Sequence, residues 1–165
     1  MTGVQTCALP ISIDAGARVE LADGKLALGG IAGSIAGAKV AGDLSGVADA
    51  SAGNRMRFSG AMTIDRASLP ALAALVLGPA QAPRAGAVWS DARFATGLAD
   101  MPLADVKMKA GEFALSDALV ARETTFTLSL APGLLRFDDF AGKLGGATID
   151  GRMALRRDEI GRAHV

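Results

Sequence analysis

Apolar and polar side chains alternate with a period of two along most of this chain. That is the pattern of a strand with one buried face, because successive side chains point to opposite sides. From Arg55 to Asp65, Met56, Phe58, Gly60, Met62 and Ile64 share one face, while Arg57, Ser59, Ala61, Thr63 and Asp65 share the other. Phe126, Leu128 and Leu130 alternate with Thr125, Thr127 and Ser129, and Val106 and Met108 with Lys107 and Lys109. Ile149, Gly151, Met153 and Leu155 alternate with Thr148, Asp150, Arg152, Ala154 and Arg156. The pattern predicts a mainly β protein, a curved antiparallel sheet or meander of repeated hairpins that is groove-like or an incomplete sandwich.

Turn chemistry gives candidate registers. Asp23-Gly24 suits the primed hairpin turn, whose two central residues need positive φ, and it sets Leu21 opposite Leu26 and Val19 opposite Leu28 on one face. Pro132-Gly133 would set Leu130 opposite Leu135 and Leu128 opposite Phe137, although Pro-Gly favours a type II turn whose twist suits hairpins less well. One segment breaks the alternation. Ser68 is a candidate N-cap, Pro70 is tolerated in a first turn, Leu69, Leu72, Ala73 and Val76 recur at helical spacing, and Gly78-Pro79 supplies a stop.

These signals predict one short helix near 68–77, packed on or beside the sheet. The uncharged run from Ala67 to Pro83 is broken by prolines and falls short of the roughly 20 apolar residues of a membrane span. Gln81 to Arg84 then reads as a loop between strand-rich halves at about 12–66 and 85–158. Laying Ile31–Gly46 over Phe140–Leu155 aligns Ala32, Gly33, Gly37, Ala38 and Gly42 with Ala141, Gly142, Gly146, Ala147 and Gly151, a candidate internal repeat.

Both ends read differently from the middle. Met1 to Ile11 resembles a translated sequencing adapter and Glu159 to Val165 its read-through, so both are set aside as artefact and 12–158 is read as a fragment of one β-repeat domain. That removes Cys7 and His164, the only cysteine and histidine of the chain. What remains has no thiol nucleophile, no imidazole base and no soft metal ligand. Asp138 and Asp139 are neighbours on a strand and face opposite sides, and the other aspartates fall at turn or solvent positions without the closely spaced oxygens of a calcium loop. Gly142-Lys143 lacks the rest of a phosphate-binding loop. The expectation is a protein that is not an enzyme and takes no cofactor or metal.

Charge narrows the partners. Seventeen basic side chains balance seventeen acidic ones, and the pairs Arg55/Arg57 and Arg156-Arg157 have no aromatic platform beside them, which argues against nucleic acid. Trp89 is expected in a core or interface.

The stretch Leu134-Leu135-Arg136-Phe137-Asp138-Asp139-Phe140-Ala141-Gly142-Lys143-Leu144-Gly145-Gly146-Ala147-Thr148-Ile149-Asp150-Gly151-Arg152-Met153-Ala154-Leu155 resembles the repeating unit near the C-terminus of the AsmA family of bacterial envelope proteins. There, an apolar and acidic strand leads through a Gly-Gly turn into a second strand. Ile31 to Gly46 resembles another copy. The resemblance, shared with TamB-like relatives, implies a protein anchored in the inner membrane outside this fragment, with a periplasmic body of curved antiparallel sheet. It further implies a role in outer-membrane biogenesis and phospholipid transport between membranes. It brings no catalytic residue to carry over.

A sheet with a continuous apolar face has to cover that face with another layer or a ligand. Met56, Phe58, Met62, Ile64, Phe126, Leu128, Leu130, Leu135, Phe137, Ile149, Met153 and Leu155 are therefore candidates to line a groove for phospholipid acyl chains. The same residues could instead pack two sheet layers, or the sheet and its helix. An alternative function is a non-enzymatic β-repeat scaffold that binds envelope proteins or regulates outer-membrane protein assembly.

Overall fold

A computed structural model describes residues 13–77, 102–157 and 163–164. The strands are β1 (Ile13–Ala22), β2 (Lys25–Ile35), β3 (Ala38–Asp49), β4 (Arg55–Ser68), β5 (Leu103–Ser116), β6 (Leu119–Ala131), β7 (Leu134–Leu144), β8 (Ala147–Arg157) and the two-residue β9 (Ala163–His164). One helix, α1 (Leu69–Leu77), follows β4, and a single 3-10 turn at Ala50–Ala52 joins β3 to β4. The strands lie side by side in chain order in one open sheet. Among the described residues the fold is mainly β with one short helix, as the alternation and the Ser68 helix signals predict. Ser68 caps α1, its hydroxyl accepting the Ala71 N–H at 3.2 Å. Cys7, Trp89 and the Gln81–Arg84 loop fall outside the described residues, as do the first eleven residues.

The sheet departs from a pure meander at one step. β4 and β5 run parallel, with Met62 beside Met108 and Phe58 beside Ala104; every other neighbouring pair is antiparallel. Parallel neighbours cannot be joined by a hairpin and need a long crossover, and α1 lies within the segment that makes it.

Both anticipated hairpin registers occur: Leu21 pairs with Leu26 and Val19 with Leu28, and Leu130 pairs with Leu135 and Leu128 with Phe137. Asp23 and Gly24 both have positive φ (49° and 71°), whereas at Pro132-Gly133 positive φ is taken by Gly133 (69°), the pattern a type II turn requires.

The internal repeat is longer and more regular than its residue identities suggest. Every β2–β3 pair recurs in β7–β8 shifted by 109 residues, from Lys25↔Val47 and Leu134↔Arg156 to Ile35↔Ala38 and Leu144↔Ala147. The bulge recurs as well, between Leu28 and Ile31 and between Phe137 and Phe140. It is centred on residues of left-handed conformation, Gly30 (φ 60°) in one copy and Asp139 (φ 51°) in the other. The preceding strand belongs to the same unit, because the β1–β2 pairs from Gly16↔Ala32 to Ala22↔Lys25 reappear with that shift as the β6–β7 pairs from Thr125↔Ala141 to Ala131↔Leu134. The sequence signal for this extension is Leu21-Ala22-x-Gly24-x-Leu26 against Leu130-Ala131-x-Gly133-x-Leu135.

The core sits on the C-terminal half of the sheet. Phe113, Phe126, Phe137 and Phe140 pack with Ala110, Ala121, Leu128 and Leu135, and Leu69 and Leu72 of α1 close over this cluster together with Ile64 and Ala67. Strict alternation, carried on from Val106 and Met108, would point Phe113 to the polar face. Three neighbouring strands change face together instead: Ile64, Ala110 and Thr124 are paired across β4, β5 and β6, as are Ala67, Phe113 and Ala121; Thr124 is buried and the other five belong to the cluster or pack against it. The bulge at Asp139 does the same for Phe137 and Phe140, consistent with the added residue and bend that a bulge inserts.

Candidate functional site

Following the paired residues across the strands reveals two unbroken rows. One runs Leu21, Leu26, Gly46, Phe58, Ala104, Leu130, Leu135, Leu155, and the next runs Val19, Leu28, Leu44, Gly60, Val106, Leu128, Phe137, Met153. Every position in both rows is apolar or glycine, so one face of the sheet is apolar from β1 to β8. Residue spacing along each strand produces the alternation; only strand pairing brings the apolar positions into line across it.

Exposure along these rows differs between the β1 end and the core strands. Leu21 and Val19 on β1 are 76% and 63% exposed, whereas Leu135 and Phe137 are fully enclosed. Leu26, Leu28, Leu44 and Phe58 lie between these limits. The twelve residues expected to line an apolar groove all belong to this face, but they divide into two groups. Phe126, Leu128, Leu135 and Phe137 are buried in the core and present no surface to a ligand without repacking. Met56, Phe58, Met62, Ile64, Leu130, Ile149, Met153 and Leu155 are half-buried. The most exposed large apolar side chains, Leu21 and Val19, are legible in the sequence through the Asp23-Gly24 hairpin, but their position at the sheet edge is not.

The opposite face is polar and cross-linked. Arg57 bridges two carboxylates, with Nη2 2.8 Å from Asp49 and Nη1 donating to Asp105 at 2.8 Å. Ser129 donates to the second oxygen of Asp105 at 2.8 Å. Hydrogen bonds from Ser51, followed by that from Arg57, hold the Asp49 carboxyl below the usual carboxylate range, and the two aspartates raise Arg57. Further along, Lys143 pairs with Glu123 and lowers its pKa, while Arg136 donates to Asp138 at 2.6 Å. The Ser129 contact is buried or partly so, while the ion pairs lie near the surface and are individually weak. Their collective effect is to keep this face wet and to define which way the sheet faces.

A depression of about 550 Å³ has Ala41, Ala61, Thr63, Lys107, Lys109, Thr125 and Thr127 of the polar face among its lining residues, together with Gly42, Met62, Met108, Phe126 and Asp139. It is open to solvent, and its lining mixes short side chains with Lys107 and Lys109. Among the described residues no cluster of three or more His, Cys, Asp or Glu is placed to hold a metal ion, and no helix is long and apolar enough to cross a membrane. Asp138 is engaged by Arg136 and Asp139 occupies the bulge; both line a second depression of about 530 Å³ together with Asp150 and Arg152.

Comparison with protein-family models, with curated proteins and with solved structures yields no match to this chain.

Proposed function

We propose that this chain is part of an AsmA-like envelope protein that carries phospholipid acyl chains along the apolar face of its sheet. The observation that supports this reading is the pair of apolar rows crossing eight strands, whose large side chains are buried on β6 and β7 at Leu128, Leu135 and Phe137 and exposed on β1 at Val19 and Leu21. Acyl chains need a non-directional apolar surface and no acid-base chemistry. The exposed apolar side chains Val19 and Leu21, continuous with half-buried Leu26, Leu28, Leu44 and Phe58, are the part of this face open to a ligand. The periplasmic location and the inner-membrane anchor follow from the resemblance of Leu134–Leu155 to the family repeat.

The burial of Phe126 and Phe137 moves the place of contact toward β2, β3 and β4. A photocrosslinking amino acid at Leu28 or Phe58, on the apolar face, and at Lys107, on the polar face, separates the alternatives when the chain is expressed in lipid-containing cells and extracted after illumination. Phospholipid adducts are expected at Leu28 and Phe58 and not at Lys107. Adducts at none of the three sites, or equally on both faces, would remove the lipid reading.

A further inference from the structure

α1 is built from leucine, proline, alanine and valine alone, in the order Leu-Pro-Ala-Leu-Ala-Ala-Leu-Val-Leu. No side chain on it carries a charge or a hydrogen-bonding group, so its side chains hold it on the sheet through apolar contact only. Its main neighbours are β4, β5, β7 and β8, and Leu69 and Leu72 rest on the cluster formed by Phe113, Phe126, Phe137 and Phe140. Under this cover the apolar face is closed, with Phe113 and Phe137 fully enclosed. On β2 and β3 the same face is half-open at Leu26, Leu28 and Leu44. β4 joins the two regions: half-buried Met56, Phe58 and Met62 lead along it to Ile64 and Ala67, which pack against the cluster with the helix.

We infer that α1 is a displaceable cover on the acyl-chain path, lying on a stretch of apolar face that a further length of acyl chain occupies when the helix lifts. A helix of nine residues is shorter than the roughly 12–15 needed for stability in water, so α1 owes its form to packing on the sheet. Apolar contact is non-directional. An acyl chain laid over the same rings therefore replaces what Leu69 and Leu72 supply, and no polar group of α1 is left without its partner. Helix and acyl chain exclude one another from this stretch, and the coupling between them is reciprocal: a change that loosens α1 tightens lipid binding, and bound lipid loosens α1. This role presupposes the acyl-chain reading proposed above and adds regulation to the same face.

The test is a titration of the full chain in detergent-free buffer with a dansyl-labelled long-chain fatty acid below its micelle concentration, read by dansyl emission. Two truncations of half-buried side chains on the same face are expected to act in opposite directions. Phe58→Ala removes part of the open path and should weaken binding about fivefold. Leu72→Ala loosens the cover and should tighten binding about fivefold, because the uncovered state becomes more populated. Hydrogen exchange on the unaltered chain is the second readout: the amides of α1 from Ala73 to Leu77 should exchange about threefold faster or more with saturating fatty acid, while those of β6 and β7 stay protected. Unchanged or weaker binding by a folded Leu72→Ala chain, or α1 amides that slow or stay the same when fatty acid binds, would overturn the cover. The lipid reading survives that result if Phe58→Ala still weakens binding. If Leu72→Ala does not fold, the exchange measurement decides by itself. No fatty-acid binding to any of these chains, together with no lipid adduct at Leu28 or Phe58, would remove the lipid reading and the cover with it.

Discussion

Phe113 sits among the buried aromatic rings of the core on the C-terminal half of the sheet. It is fully enclosed, and its ring meets Phe126, Phe137 and Phe140 edge-on, with centroids at 5.2, 5.7 and 5.5 Å. Truncating an enclosed phenylalanine costs about 3–5 kcal/mol through lost transfer free energy and the cavity left behind. Three aromatic contacts, each of order 0.5–1.5 kcal/mol, place Phe113→Ala toward the top of that range. Leu21→Ala is the matched control. A fully buried leucine is worth about 1.5–3 kcal/mol, and with three quarters of Leu21 exposed its truncation should cost under about 1 kcal/mol.

Urea unfolding of the chain followed by far-ultraviolet circular dichroism measures both. With a slope of about 1–3 kcal/mol per molar, Phe113→Ala should lower the midpoint by more than about 1 M, and Leu21→Ala by a small fraction of that. A double-mutant cycle between Phe113 and Phe140 should return a coupling of about 0.5–1.5 kcal/mol. Equal costs for Phe113→Ala and Leu21→Ala would refute the placement of the core, and strict additivity in the cycle would refute the ring contact.

Further outcomes test the repeat and the polar face. Gly42 has φ 154°, and a Cβ there would lie 2.3 Å from the Ala61 carbonyl oxygen and 2.8 Å from Met62 Cα, so Gly42→Ala should cost more than about 2 kcal/mol by urea unfolding. Its counterpart Gly151 has nothing within 4 Å of that position, and Gly151→Ala should stay within about 0.5 kcal/mol. Ala36 adopts left-handed φ (50°) at the β2–β3 turn, where the second copy has Gly145; Ala36→Gly should raise stability by about 0.5–1 kcal/mol in the same assay. Because the Asp49 pKa is lowered on folding, the unfolded chain binds more protons there between the lowered value and the ordinary one. Its stabilising contribution is present above about pH 4 and is lost as pH falls through the lowered value. Asp49→Asn should accordingly flatten the dependence of the urea midpoint on pH in that acid range while leaving the dependence near neutrality unchanged.

Local chemistry settled a great deal about this chain. Alternation of period two identifies the strands. Asp23-Gly24 and Pro132-Gly133 set the registers observed, and Ser68 marks the start of α1 with a cap that the fold realises. Each of these is an interaction between residues near in sequence, so the residues themselves carry it. The parallel step from β4 to β5 and the shared change of face that brings Phe113 into the core could not be read this way, because no single strand encodes which neighbour it meets or where three strands shift together. The same limit separates the twelve apolar candidates into buried and accessible groups: side-chain type says that a face is apolar, and only packing says where along that face it is covered. The repeat lies between the two cases. Its alanines and glycines are weak evidence in an Ala/Gly-rich chain, yet its hydrogen-bond registers and bulge recur across 109 residues, because backbone pairing constrains geometry more tightly than it constrains side-chain identity.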